Sequence, residues 1–238
     1  MNNVIEIVDR KKCTGCSACF SVCPENCIAM EEDNDGFYYP EVNHEKCTKC
    51  TLCIKICPVI NVSVVNNIPK AYACINNDES LRIRSSSGGI FTAMANEILD
   101  RKGVVFGAAF DENYYVTHQF VDSHDELEKL RGSKYVQSKI NTSYIKTKSI
   151  LDQGRFVLFS GTPCQIAGLK AYLQKNYENL FCVDIICHGV PSPKVWTKYV
   201  AFRSERASSS PKRISFRRKD YGWKRYSVSF LFKNDTEY

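Results

Sequence analysis

Apolar positions change rhythm along the chain, and the change divides it. Near the N-terminus two short apolar stretches, Ile28–Met30 and Phe37–Val42, flank Asp33-Asn34-Asp35-Gly36. Asp-Gly between apolar runs predicts a hairpin. After residue 70 helical and extended patterns alternate. Ile90, Phe91, Met94, Ala95, Ile98 and Leu99 form a helical stripe, followed by a strand over Gly103–Phe110. Helices are predicted over Asp125–Arg131, Tyr144–Asp152, Pro163–Lys175 and Pro193–Arg203. A strand is predicted over Arg155–Ser160. Leu180–Cys187 is nearly all apolar, as expected of a strand covered on both faces. Arg213–Phe232 reads as a hairpin with alternating aromatics. The β-α order predicts a largely parallel sheet.

The expected fold class is therefore an α+β ferredoxin-like unit for two [4Fe-4S] clusters, over residues 1–66, followed by an α/β domain over 70–238. Asn66-Asn67-Ile68-Pro69-Lys70 reads as the linker. The first unit is an internal repeat: Val8, Lys12, Cys13 and Thr14 recur 34 residues later as Val42, Lys46, Cys47 and Thr48. Such a small unit buries little apolar surface, so metal ligation must supply much of its stability.

Cysteine spacing supplies the chemistry. Eight of 13 cysteines form two copies of Cys-x-x-Cys-x-x-Cys-x-x-x-Cys-Pro: Cys13, Cys16, Cys19 and Cys23, then Cys47, Cys50, Cys53 and Cys57. This is the ligand run of a two-cluster bacterial ferredoxin, in which the fourth cysteine ligates the other cluster. It assigns one cluster to Cys13, Cys16, Cys19 and Cys57, and the other to Cys47, Cys50, Cys53 and Cys23. Zinc sites more often use paired Cys-x-x-Cys units. Disulfides would need an oxidising compartment, and no secretion signal opens the sequence. No apolar run reaches the length of a membrane span. These readings place the protein in the cytoplasm. Cys27, Cys74 and Cys182 read as plain buried thiols.

Bulk composition is ordinary, with 44% hydrophobic and 24% charged residues. The formal charge of +6 is concentrated between residues 211 and 225, where seven cations face Asp220 alone. The segment is either a solvated strand face or a dock for an acidic partner, a ferredoxin or a phosphate-bearing coenzyme. No nucleic-acid-binding motif accompanies it.

Three further stretches carry candidate chemistry. Ser85-Ser86-Ser87-Gly88-Gly89 opens a helix, where backbone N–H groups suit an anion such as a flavin pyrophosphate, or where serine simply caps. In Gly161-Thr162-Pro163-Cys164-Gln165, Thr162 and Gln165 form a capping box. Cys164 then sits in the first turn, where the dipole favours thiolate, beside the sheet edge at which ligands gather. It is a candidate catalytic thiol that could ligate metal, face a flavin or react, or is a buried thiol under that edge. Cys187-His188-Gly189 ends the next strand on the same edge, so Cys164 and Cys187 are expected to be neighbours. His188 is a weaker candidate proton donor. There is no dinucleotide fingerprint or Walker loop.

These stretches, with Ser-Ser-Ser-Gly-Gly-Ile-Phe (85–91), Arg-Gly-Ser-Lys-Tyr-Val-Gln-Ser (131–138) and Ile186–Pro193, resemble the coenzyme F-420 hydrogenase/dehydrogenase beta-subunit family, from the first cysteine motif to about Tyr199. The resemblance implies an iron–sulfur flavoprotein oxidoreductase passing electrons between [4Fe-4S] clusters and FAD, to a deazaflavin coenzyme, a ferredoxin or another acceptor. The alternative is a non-catalytic electron-transfer subunit of a larger redox complex. The resemblance places flavin contacts at Ser87, Gly88, Gly89, Lys134 and Thr162. It makes Cys164 and Cys187 ligands of a third four-iron cluster. Family members continue further, through another cysteine pair. Here no cysteine follows Cys187, so the chain reads as C-terminally short. A third cluster would need a missing segment or a partner subunit.

Overall fold

The computed structural model describes residues 3–62 and 68–238. In the first segment, α1 (Val4–Ile7) precedes α2 (Ala18–Val22), a hairpin of β1 (Ile28–Glu32) and β2 (Tyr38–Val42), and α3 (Leu52–Lys55). The hairpin pairs Ile28 with Val42 and Glu32 with Tyr38, antiparallel. Its turn is fixed by Asp33, whose carboxylate accepts from the N–H groups of Asp35 and Phe37. The sequence repeat is also a backbone repeat. Gly15 and Ser17 take positive φ of 63° and 64°, and Lys49 and Thr51, 34 residues on, take 55° and 66°. Left-handed residues at alternate positions coil each ligand loop and turn its N–H groups inward.

After α4 (Glu79–Arg84) and α5 (Ile90–Asp100) come β3 (Val104–Phe110), β4 (Val116–Val121), α6 (Ser143–Asp152), β5 (Val157–Gly161), α7 (Pro163–Leu173) and β6 (Leu180–Asp184). The sheet order is β4-β3-β5-β6. β3–β5 and β5–β6 are parallel, and β3–β4 is antiparallel. Period-two alternation sorts the side chains. Val104, Phe106, Val157 and Phe159 face α6 and α7 with Tyr144, Ile166 and Leu169. Val105, Ala109 and Leu158 face α5 with Ala95, Ile98 and Leu99. A mixed sheet, largely parallel, thus has helices on both faces. α8 (Pro193–Ala207) and the hairpin β7 (Pro211–Arg218)–β8 (Ser227–Phe232) close a separate cluster of Trp196, Ile214, Phe230 and Phe232 against Val116 and Val136.

Several expectations need correction. The expected helix over 125–131 is a single 3₁₀ turn at Leu127–Lys129. Its apolar residues, Leu127 and Leu130, are enough to bury a turn against the sheet but not to anchor a helix. The strand from Leu180 stops at Asp184 and lies at the sheet edge. Phe181, Ile185 and Ile186 are exposed, so this apolar run does not mark a covered strand. β4 and α4 were not anticipated, because their patterns are short and interrupted by polar residues. Of the expected linker, Asn66 and Asn67 lie outside the described residues, and 68–70 have no regular structure.

Candidate metal centres and cofactor site

Crossing of the two cysteine runs follows from the fold. The fourth cysteine of each run leaves on a short helix, α2 or α3, and the two helices pack together. Cys57 is thereby carried to the first loop and Cys23 to the second. Cys13, Cys16, Cys19 and Cys57 rim one cavity of about 220 Å³, together with Gly15 and Tyr39. Cys23, Cys47, Cys50 and Cys53 rim a second, tighter one of about 20 Å³, and Cys50 is exposed.

The donor set at each cavity is four cysteine sulfurs, the ligand complement of a four-iron cubane. As free thiols, the residues of the first cavity resist ionisation. Burial raises Cys13, lifts Cys16 to about 11 and lifts Cys19 further, with neighbouring cysteines adding to the shift. Burial also raises Cys53. Thiolates in these positions require a cationic core, so core binding releases protons.

Cys27 is more than a plain buried thiol. Its Sγ lies 3.3 Å from that of Cys23, in the wall of the second cavity. Burial and the neighbouring Cys23 lift it to about 12, so it stays protonated and can donate to a ligand sulfur.

At the C-terminal edge of the sheet, Thr162 caps α7, and its backbone N–H donates to the Gln165 side chain at 3.0 Å. The expected capping box is present. The Thr162 hydroxyl lies 3.1 Å from Cys164 Sγ. Parallel pairing of β5 and β6 through Gly161 and Asp184 puts Cys187 and His188 on this same edge. Both are exposed, and the Gly189 N–H donates to Cys187 Sγ.

Sequence reasoning missed the network beneath this turn. Gln165 Nε2 donates to Ser138 Oγ at 2.9 Å. Ser138 Oγ lies 2.8 Å from His118 Nδ1, and His118 Nε2 lies 3.0 Å from the Ser160 carbonyl. A carbonyl only accepts, so Nε2 carries the proton and Nδ1 accepts from the serine. His118 is fully buried and stacked on Phe159, and desolvation lowers it from 6.5 to about 4. The folded imidazole therefore stays neutral where the unfolded one takes a proton. Stability is lost as pH falls from 6.5 towards 4, by about 3 kcal/mol in total. Denaturant midpoints measured across this window should fall for the native chain and flatten for His118→Gln. Equal slopes would refute the assignment.

The serine–glycine loop and the Arg131–Tyr135 loop meet. Ser133 donates to Ser86 Oγ from its backbone N–H at 2.6 Å and from its hydroxyl at 2.8 Å. Lys134 Nζ donates to the carbonyls of Lys129 and Arg131, which leaves one of its three donors. Desolvation lowers it to about 7. Lys219, from the basic segment, reaches over to the Arg82 and Ser85 carbonyls. Ser87 is exposed. Gly88 and Gly89, expected to admit a ligand, instead admit the chain itself. A Cβ on Gly88 would lie 2.8 Å from the Cys74 carbonyl, and one on Gly89 would lie 3.0 Å from Asn76 Cβ. The basic segment is also partly neutralised: Lys212 pairs with Asp235, and Arg218 with Asp220 and Glu237.

Three family models match the chain. Residues 12–61 match the 4Fe-4S dicluster domain. Residues 71–144 match the N-terminal part, and 154–232 the C-terminal part, of the coenzyme F420 hydrogenase/dehydrogenase beta subunit. An uncharacterized ferredoxin of Methanocaldococcus jannaschii is 48% identical over 33 residues, 14% of this chain and 43% of that protein. A chain of the xenon-derivatized F420-reducing [NiFe] hydrogenase complex from Methanosarcina barkeri aligns with 19% identity and a TM-score of 0.47, over 68% of this chain and 57% of that one. The chain thus spans less than two thirds of either relative. Among the described residues no helix is long and apolar enough to cross a membrane.

Proposed function

The chain belongs to the coenzyme F420 hydrogenase/dehydrogenase beta-subunit family, with a 4Fe-4S dicluster segment ahead of it, and on that premise we propose an iron–sulfur flavoprotein oxidoreductase. The observation that carries this reading is the pair of cavities, each rimmed by one crossed set of four cysteines. Bound clusters supply one-electron transfer, and a bound flavin is the junction to two-electron chemistry. Cys13, Cys16, Cys19 and Cys57 hold one cluster; Cys23, Cys47, Cys50 and Cys53 hold the other. Ser87, Lys134 and Thr162 contact the flavin from three loops. Lys134, desolvated and with a spare donor, is suited to a phosphate oxygen. Lys219 adds a second cation to that end of the site. Cys164 and Cys187, on one sheet edge, are ligands of a third cluster that other residues must complete. His188 is placed to deliver protons there. The acceptor is a deazaflavin coenzyme, a ferredoxin or a further redox subunit.

A second reading, a non-catalytic electron carrier within a redox complex, is favoured by one observation: residues 74–76 fill the approach to Gly88 and Gly89. Anaerobic purification separates the two. The flavoprotein has about eight irons and one flavin per chain. Lys134→Met then weakens flavin binding by about tenfold, the loss of one charge-assisted contact, with iron unchanged. Iron without flavin identifies the carrier, and a colourless, iron-free protein refutes both.

A further inference from the structure

The two four-cysteine sites are related by the repeat, yet they sit in different surroundings. Both cavities are lined from within residues 3–59, and Cys50 of the second is exposed. The first site is pressed against the α/β domain. α2 packs on α7 and α6. At Gly168 of α7 a Cβ would lie 3.0 Å from the Tyr144 hydroxyl and 3.1 Å from both the Cys16 Cβ and the Cys16 carbonyl, so the missing side chain lets the first loop sit tightly against α7. The completely buried Tyr144 of α6 places its hydroxyl 2.9 Å from the Cys16 carbonyl and 2.7 Å from the Gln165 carbonyl. One hydroxyl proton is shared between two acceptors, one in the first ligand loop and one in the turn that carries Cys164.

The repeat shows the same asymmetry. Equivalent left-handed positions hold Gly15 in the first loop and Lys49 in the second. A Cβ on Gly15 would meet the Tyr38 carbonyl at 2.5 Å and the Gln137 side chain at 2.8 Å. Gln137 also accepts from the Tyr38 N–H, tying β2 to the α/β domain. Lys49 is exposed and takes the strained φ without such a neighbour.

We infer that the two sites are ordered: Cys13, Cys16, Cys19 and Cys57 form the inner site, with Tyr144 as the positioning residue that fixes Cys16 against the Cys164 turn, and Cys23, Cys47, Cys50 and Cys53 form the outer one. The inference rests on the cluster reading above. It makes the Tyr144 link between the Cys16 carbonyl and the turn that carries Cys164 the crossing point for electrons between the ferredoxin-type unit and the α/β domain. No bond is made or broken there. One centre loses the electron that the other gains.

The test is an EPR-monitored redox titration of anaerobic holoprotein. Cys50→Ser, which perturbs the outer site, identifies its signal. Tyr144→Phe should then shift the line shape and midpoint of the other signal only. Gly168→Ala, whose Cβ would crowd the Tyr144 hydroxyl and Cys16 by a few tenths of an ångström, should move the same signal and guards against a Tyr144→Phe chain that does not fold. Shifts in the outer signal, in both equally, or in neither would overturn the ordering. Iron content near zero in the unmutated protein would instead defeat the cluster reading.

Discussion

Chelating iron from the reduced holoprotein should unfold residues 3–62 while the four-stranded sheet stays intact. The buried apolar cluster of this segment is Val4, Cys19, Cys27, Ile28, Cys53 and Cys57, so most of it is cysteine. Ala18, Tyr38 and Ile56 add the other large contributions. Each full burial of a large apolar side chain is worth about 1.5–3 kcal/mol. Ordering the backbone costs about 1–2 kcal/mol per residue, and some sixty residues are to be ordered. Ligation must close the gap. In small zinc domains the metal contributes on the order of 10 kcal/mol, enough to decide whether the chain folds. Burial also holds the metal-free Cys13, Cys16 and Cys19 as thiols, so the empty site retains no charge to organise it. Hydrogen exchange read by mass spectrometry checks this. Amides of 3–62 should lose protection on chelation and those of 104–161 should keep it. Unchanged protection in the first segment would show that its core stands without metal.

Phe159→Ala should destabilise the α/β domain by about 3–5 kcal/mol. The ring is completely buried on the central strand β5, stacked with Phe106 at 5.5 Å and with His118 at 5.3 Å. Tyr144 lies at 5.8 Å, so the cavity would open directly beneath the α6–α7 interface. Phe181→Ala, on the neighbouring strand, is the control. That ring is 47% exposed at the sheet edge, and its removal should change stability by only about 0.5 kcal/mol. Chemical denaturation of both variants measures the difference. Similar losses would mean that the β6 edge is covered in solution.

How much was legible differs between the two parts. The crossed grouping of the cysteines around two cavities was legible, because the spacing is a local pattern and the repeat reports it twice. Long, strongly periodic stretches such as 90–100 and 104–110 also fell where their pattern put them. The capping box at Thr162 and Gln165 was readable for the same reason: both partners lie within one turn. Leu180–Ile186 misled, since an apolar run reports a tendency to be buried and not whether another strand lies beside it. His118, Tyr144 and Gln137 carried no local mark. Their partners are Ser138 and Ser160, Cys16 and Gln165, and Tyr38, and several of these are distant in sequence.

Sequence by itself pointed to the kind of chemistry: two interlocked sets of cysteines and an α/β domain whose loops carry small and cationic residues. Only the tertiary structure decided which set packs against the α/β domain, which glycines admit the chain rather than a ligand, and that Lys219 reaches Ser85. The physical reason is range. Ligand spacing, capping and periodicity act within a few residues, whereas the difference between the two sites depends on Gly15 meeting Gln137 and on Cys16 meeting Tyr144 and Gly168, each across more than a hundred residues of chain.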